Sequence, residues 1–104
     1  MFIIINFSGR FIQTVMLAQV TQQVRNFVIE NFLFGDGKGL KDTDLFLDQG
    51  IIDSTGVLEL VAFLEEIYGF KVEDEELIPE NLNSVALVSD YVIKKLQTQT
   101  AESN

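Results

Sequence analysis

Apolar residues recur at three- and four-residue intervals through three stretches of this chain, the spacing of helices that bury one side. In the first, from about Thr14 to Phe34, Leu17, Val20, Val24, Phe27, Val28 and Leu33 are separated by Gln, Arg and Glu. The second runs from Ser54 to Tyr68. Val57, Leu60, Val61, Leu64, Ile67 and Tyr68 mark its apolar side, and Gly69 is placed to stop it. The third follows Asn83 or Ser84, either of which can cap it, and carries Val85, Val88, Tyr91, Val92 and Leu96, with Lys94 and Lys95 near its favourable C-terminal end. Before it, the acidic run Glu73 to Glu76 suits the first turn of a short additional helix that Pro79 keeps from extending. No alternating pattern competes. The expected fold is therefore all-α, a small bundle of three longer helices and one short helix.

The connections are equally telling. Gly35 is a candidate helix C-cap, and GDGKG from Gly35 to Gly39 reads as a loop. It has neither the G-x-G-x-x-G spacing nor the lysine-serine ending of a phosphate-binding loop. Between Leu40 and Ile52, the residues Leu45, Phe46, Leu47, Ile51 and Ile52 are too apolar to stay solvated together, so several must turn into the bundle. Residues 1–15 form an N-terminal extension. Its run MFIIINF is too short to span a bilayer and lacks the cationic start of a secretory signal, so no membrane anchor is expected and the chain is read as cytoplasmic. This run reads either as a strand-like or docking segment or, given Met16, as upstream sequence ahead of the folded unit. That unit spans residues 16–96, and 97–104 form a polar, frayed tail.

Composition removes whole classes of chemistry. At 104 residues there is room for one domain and one core. Without cysteine there is no disulfide or thiolate metal site, and without histidine there is no Ser-His or Cys-His catalysis. The aspartates at 42, 44, 48 and 53 do not meet the alternate-ligand spacing of a calcium loop, because Phe46 and Gly50 fall where oxygen ligands are needed. A two-carboxylate hydrolase is disfavoured, since the acids of 73–76 lack substrate platforms. Neither catalytic nor metal-binding residues are assigned. Sixteen acidic against seven basic residues give a net charge of −9, a poor match for nucleic acid or anionic membrane and a natural one for basic protein surfaces.

One stretch carries positive chemistry. Gly50 forms a turn, Ile51 and Ile52 lead inward, and Asp53-Ser54 opens the second helix, where unpaired N–H groups and the positive end of the helix dipole favour a phosphate group. Taken alone, Asp-Ser at this position is a helix cap. In context, D-Q-G-I-I-D-S-T-G-V-L-E-L-V resembles the phosphopantetheine attachment segment of the acyl carrier protein family, a likeness that extends over residues 16–96.

The resemblance implies that Ser54, flanked by Asp53, receives 4′-phosphopantetheine from coenzyme A, and that the arm's thiol then holds acyl groups as thioesters. A separate phosphopantetheinyl transferase would supply magnesium and orient the groups. Acyl- or aminoacyl-loading ligases and downstream acyltransferases or synthases with basic docking surfaces would be the other partners. Thr55, Leu58, Glu59, Ala62, Glu65 and Glu66 would meet them, with the chain acting as a monomer. Thr55 and Gly56 depart from the Leu and Asp common in fatty-acid carriers, and Gly56 resembles D-alanyl carrier proteins, so an aminoacyl carrier is the alternative. The G-G-x-S context of peptidyl carriers is missing. A reading of another class also stands: an acidic helical interaction module without a prosthetic group.

Overall fold

The structure, a computed structural model, describes the backbone of residues 2–102 and the side chains of residues 11–98. Four helices follow one another: α1 (Phe2–Phe32), α2 (Ser54–Tyr68), α3 (Pro79–Leu82) and α4 (Val85–Glu102). A 3-10 turn at Asp74–Glu76 precedes α3, and no strand occurs among the described residues. The all-helical expectation holds, with three long helices and one short. No helix among the described residues is long and apolar enough to cross a membrane.

α1 and α4 lie against each other, and α2 closes over them. Val20, Val24 and Val28 recur every four residues along α1 and so share one face. They meet Leu60 and Leu64 of α2 and Val85, Val88, Tyr91 and Val92 of α4 in a single core. Phe46 and Ile52 enter from the α1–α2 connection and are almost wholly buried, whereas Leu45 and Leu47 stay exposed. Burying a side chain of this size contributes about 1.5–3 kcal/mol, so these two hold an otherwise irregular segment in place.

The structure departs from the helical pattern in several places. α1 begins at Phe2 and not near Thr14; residues 2–13 contain no proline and a single glycine, and the helix passes through them without a break, so the strand-like reading does not hold. Met1 lies outside the described residues. Leu17 is exposed because it precedes Val20, the first buried position of α1. Ile67 is exposed too. The α1–α2 contact at that level is made instead by Phe27 and Phe63, whose rings stack at 4.2 Å between centroids.

Helix ends also differ from expectation. Gly69, at φ 76, stops α2 as its position suggests, donating its N–H to Glu65 O at 3.0 Å. At the end of α1, however, the first left-handed residue is Phe34 at φ 54, two positions beyond Phe32, with Gly35 following at φ 84. Pro79 starts α3 where it was expected to stop a helix, because its fixed φ and missing N–H suit a first helical position. Ser84, not Asn83, caps α4: its Oγ accepts the Leu87 N–H at 3.0 Å. α4 then runs to Glu102, so the backbone of residues 97–102 is helical, while residues 103 and 104 lie outside the described range.

One carboxylate fastens the α2–α4 side. Glu76 Oε1 accepts from the Glu73 N–H, the Tyr91 hydroxyl and Lys95 Nζ at 2.9, 2.9 and 3.0 Å. Burial alone would raise this carboxyl, but those donors outweigh it and hold Glu76 below the ordinary carboxylate range. Tyr91 is pushed well above the usual phenol value by its burial and then by Glu76. Because the folded Glu76 is the stronger acid, its contribution is complete above the unfolded value of 4.5 and fades as pH falls through the lower folded value. Glu76→Gln is expected to destabilise the chain by about 1 kcal/mol at pH 7 and by progressively less as pH falls below 4.5, as read from urea unfolding at each pH.

Every described α1 side chain before Val20 is exposed or half-buried. A chain beginning at Met16 should therefore keep a single cooperative unfolding transition, and thermal denaturation of the two lengths side by side checks this.

Candidate functional site

The segment leading to α2 is held on both sides before it reaches Ser54. Phe46 donates its N–H to Asn83 O at 2.8 Å, Leu47 donates to Asn83 Oδ1 at 2.9 Å, and Asn83 Nδ2 donates to Asp48 Oδ1 at 3.2 Å. Ile51 and Ile52 in turn donate to Phe46 O, and Gly50 at φ 70 makes the turn between them. Asn83 is 9 % exposed and acts as the anchor of this loop. Sequence reasoning took it for a helix cap only; an Asn before a helix carries no sign of a partner some 35 positions away.

The α2 N-terminus itself divides the labour between two adjacent residues. Asp53 is extended, at φ −91 and ψ 179, and its Oδ1 accepts the Gly56 N–H at 2.7 Å, so Asp53 is the cap. Such a cap contributes about 1 kcal/mol. Ser54 is the first helical residue and is exposed, and among the described residues nothing engages its hydroxyl. The capping role that could have accounted for both residues belongs to Asp53 alone, leaving Ser54 free for other chemistry.

Gly56 is buried for a geometric reason. A Cβ at this position would lie 2.8 Å from both the Phe32 ring and Ile52 Cγ2, and 3.3 Å from the capping oxygen of Asp53. The bare backbone therefore lets the end of α1 press against the first turn of α2. Beside Ser54 opens an apolar groove of about 290 Å³, walled by Val57, Leu58, Leu77, Ile78 and Leu82. A larger hollow of about 660 Å³ lies around Glu76, Lys94 and Lys95, and neither Ser54 nor Asp53 lines it.

The other expected surface residues fall mostly where the helical spacing places them. Thr55, Leu58, Glu59, Ala62 and Glu66 are exposed on α2, Leu58 at 61 %. Glu65 is different: it is half-buried and its Oε2 accepts the Val72 N–H at 2.9 Å, tying the chain after Gly69 back to α2. Its carboxylate is thus occupied within the fold. Among the described residues no cluster of three or more acidic side chains is arranged to hold a metal ion.

An all-helical bundle that presents a free serine at the capped start of an acidic helix has the form of a carrier domain. No family model matches the chain. It is 40 % identical over 62 residues, 60 % of its own length and 76 % of the relative's, to the D-alanyl carrier protein of Streptococcus uberis. To the D-alanyl carrier protein of Abiotrophia defectiva it is 33 % identical over 57 residues, covering 54 % of this chain and 72 % of that one. The chain belongs to this family of carrier proteins.

The Gly56 contact can be checked directly. Gly56→Ala should lower stability on the order of 1 kcal/mol, the overpacking outweighing the better helix propensity of alanine. Gly39→Ala, where a Cβ meets nothing within 4 Å, should be neutral, and chemical denaturation of both variants measures the contrast.

Proposed function

We propose that this chain is an aminoacyl carrier protein of the D-alanyl kind, bearing 4′-phosphopantetheine on Ser54. The observation that carries the reading is the exposed Ser54 hydroxyl at the first position of a helix already capped by Asp53. The residues present fit the group. A phosphodiester on Ser54 Oγ would sit at the positive end of the α2 dipole, next to first-turn N–H groups that have no helical acceptor. The groove beside Ser54 gives the apolar part of an arm a surface to lie on.

In loading, Ser54 Oγ gains a bond to phosphorus and loses its proton, while the pyrophosphate bond of coenzyme A breaks and its adenosine bisphosphate portion leaves. The chain has no histidine to act as base, and no cluster of three or more ligating side chains among the described residues, so the transferase is assigned both the proton and the magnesium. Once attached, the arm supplies a thiol that holds cargo as a thioester, the one reactive sulfur a cysteine-free chain needs. Thr55, Leu58, Glu59, Ala62 and Glu66 extend from the attachment point along the exposed side of α2, where acidic charge steers basic enzyme surfaces into weak, quickly reversed encounters.

The aminoacyl cargo is supported by the names of the relatives and by Gly56, one of the two residues after Ser54 at which the chain departs from fatty-acid carriers. A second reading, an acyl carrier, draws on the groove, whose apolar walls would suit a short hydrocarbon chain. Incubation with coenzyme A, magnesium and a broad-specificity phosphopantetheinyl transferase should add one arm by intact mass, and none to Ser54→Ala. The loaded protein should then be charged by an aminoacyl-loading ligase with D-alanine and poorly by an acyl-loading ligase. The reverse preference would move the chain to the second reading.

A further inference from the structure

Phe34 is out of place for a residue serving only the fold. Its side chain is 99 % exposed, and its backbone at φ 54 lies in the left-handed region that glycine enters without steric penalty and a bulky residue does not. The Gly35 N–H reaches back six residues to Ile29 O at 2.9 Å, closing the end of α1 across two successive left-handed residues, Phe34 and Gly35. Here a large aromatic ring stands at that point, packed on nothing. Exposure and backbone conformation both work against the isolated domain.

The ring does not project because its loop is slack. Asp36 donates its N–H to Leu33 O at 2.9 Å, and Asp36 Oδ1 accepts the Lys38 N–H at 3.1 Å. The Arg25 guanidinium reaches across to Gly37 O at 3.3 Å, Leu40 O at 2.7 Å and the Asp42 carboxylate at 3.0 Å. A pinned turn thus presents the ring, which lowers the entropy that burial in a partner would cost.

Its location points to a particular partner. Phe32 lies against Gly56, the third residue of α2, so α1 ends beside the turn that carries Ser54. Two residues of chain reach at most about 8 Å further. An interface of ordinary size, roughly 800 Å² per partner, is on the order of 30 Å across, wide enough for an enzyme seated over Ser54 to reach the end of α1.

We propose that Phe34 is a docking anchor for the enzyme that attaches the arm to Ser54, its ring entering an apolar pocket rimmed by basic residues on that enzyme. The inference rests on the carrier reading above. Only the loading enzyme must bring its reacting groups to Ser54 itself, whereas enzymes acting on the thiol meet the far end of the arm. Glu30 and Asp36, both exposed beside the turn, provide the charge that a basic rim would complement. A single rigid aromatic residue in a partner pocket is the usual form of an interface hot spot.

The test follows initial rates of arm addition by intact mass, with coenzyme A, magnesium and a broad-specificity phosphopantetheinyl transferase, together with thermal denaturation of each variant. Phe34→Gly should melt no lower than the parent, because glycine accepts the left-handed backbone, yet kcat/KM should fall about tenfold, through KM. Phe34→Leu, which keeps apolar bulk, should recover much of that loss. Unchanged kcat/KM in Phe34→Gly overturns the anchor while leaving the carrier reading intact. A lowered melting temperature, or a loss confined to kcat, assigns the ring to the fold or the chemistry and overturns it as well. If the parent chain accepts no arm, the carrier reading fails and the anchor falls with it.

Discussion

The close approach of α1 to α2 at Gly56 is the constraint on which the rest of the site depends. With a hydrogen in place of a side chain, the Phe32 ring and Ile52 can both lie against the first turn of α2. Asp53 is then held where its carboxylate meets the Gly56 N–H, and Ser54 is turned outward as the next residue. A methyl group there would press on the aromatic ring, the aliphatic chain and the capping oxygen at once. The glycine that weakens the helix as an isolated segment is what makes its start compatible with the body of the protein.

Around that contact, the irregular segments are organised by a few polar side chains acting on backbone groups more than by further apolar mass. Asn83 holds residues 46–48, Arg25 holds the turn at 37–42, and Glu76 joins the acidic 3-10 turn to α4. Arg25 and Glu76 are half-buried and Asn83 is buried, and each binds backbone groups of an irregular segment. Together they let a small bundle carry long connections, including the one that delivers Ser54.

Much of the fold was legible because helical periodicity is a local property. The Val20, Val24, Val28 stripe, the limits of α2 and the stop at Gly69 could be read directly from spacing. What escaped depends on the third dimension. Leu17 and Ile67 fit the pattern but stay exposed, and Pro79 can close one helical turn or open the next until it is known that the turn before it ends at Glu76. At the site, Asp53 and Ser54 are interchangeable as caps on paper; only geometry decides which one takes the Gly56 N–H. The role of Asn83 and the exposure of Phe34 had no signal in spacing or composition, because both arise from how distant segments meet.

The bond between Glu65 and the Val72 amide changes how the acidic face of α2 must be read. Glu59 and Glu66 are exposed with no partner among the described residues, so a cationic surface can recruit them for little more than their hydration. Glu65 can turn toward such a surface only by abandoning a backbone donor whose residue, Val72, is buried. Reversing charge at 59 or 66 alters the helix surface alone, but reversing it at 65 also unhooks the strap that follows Gly69, so neighbouring glutamates on one helix report on different properties of the molecule.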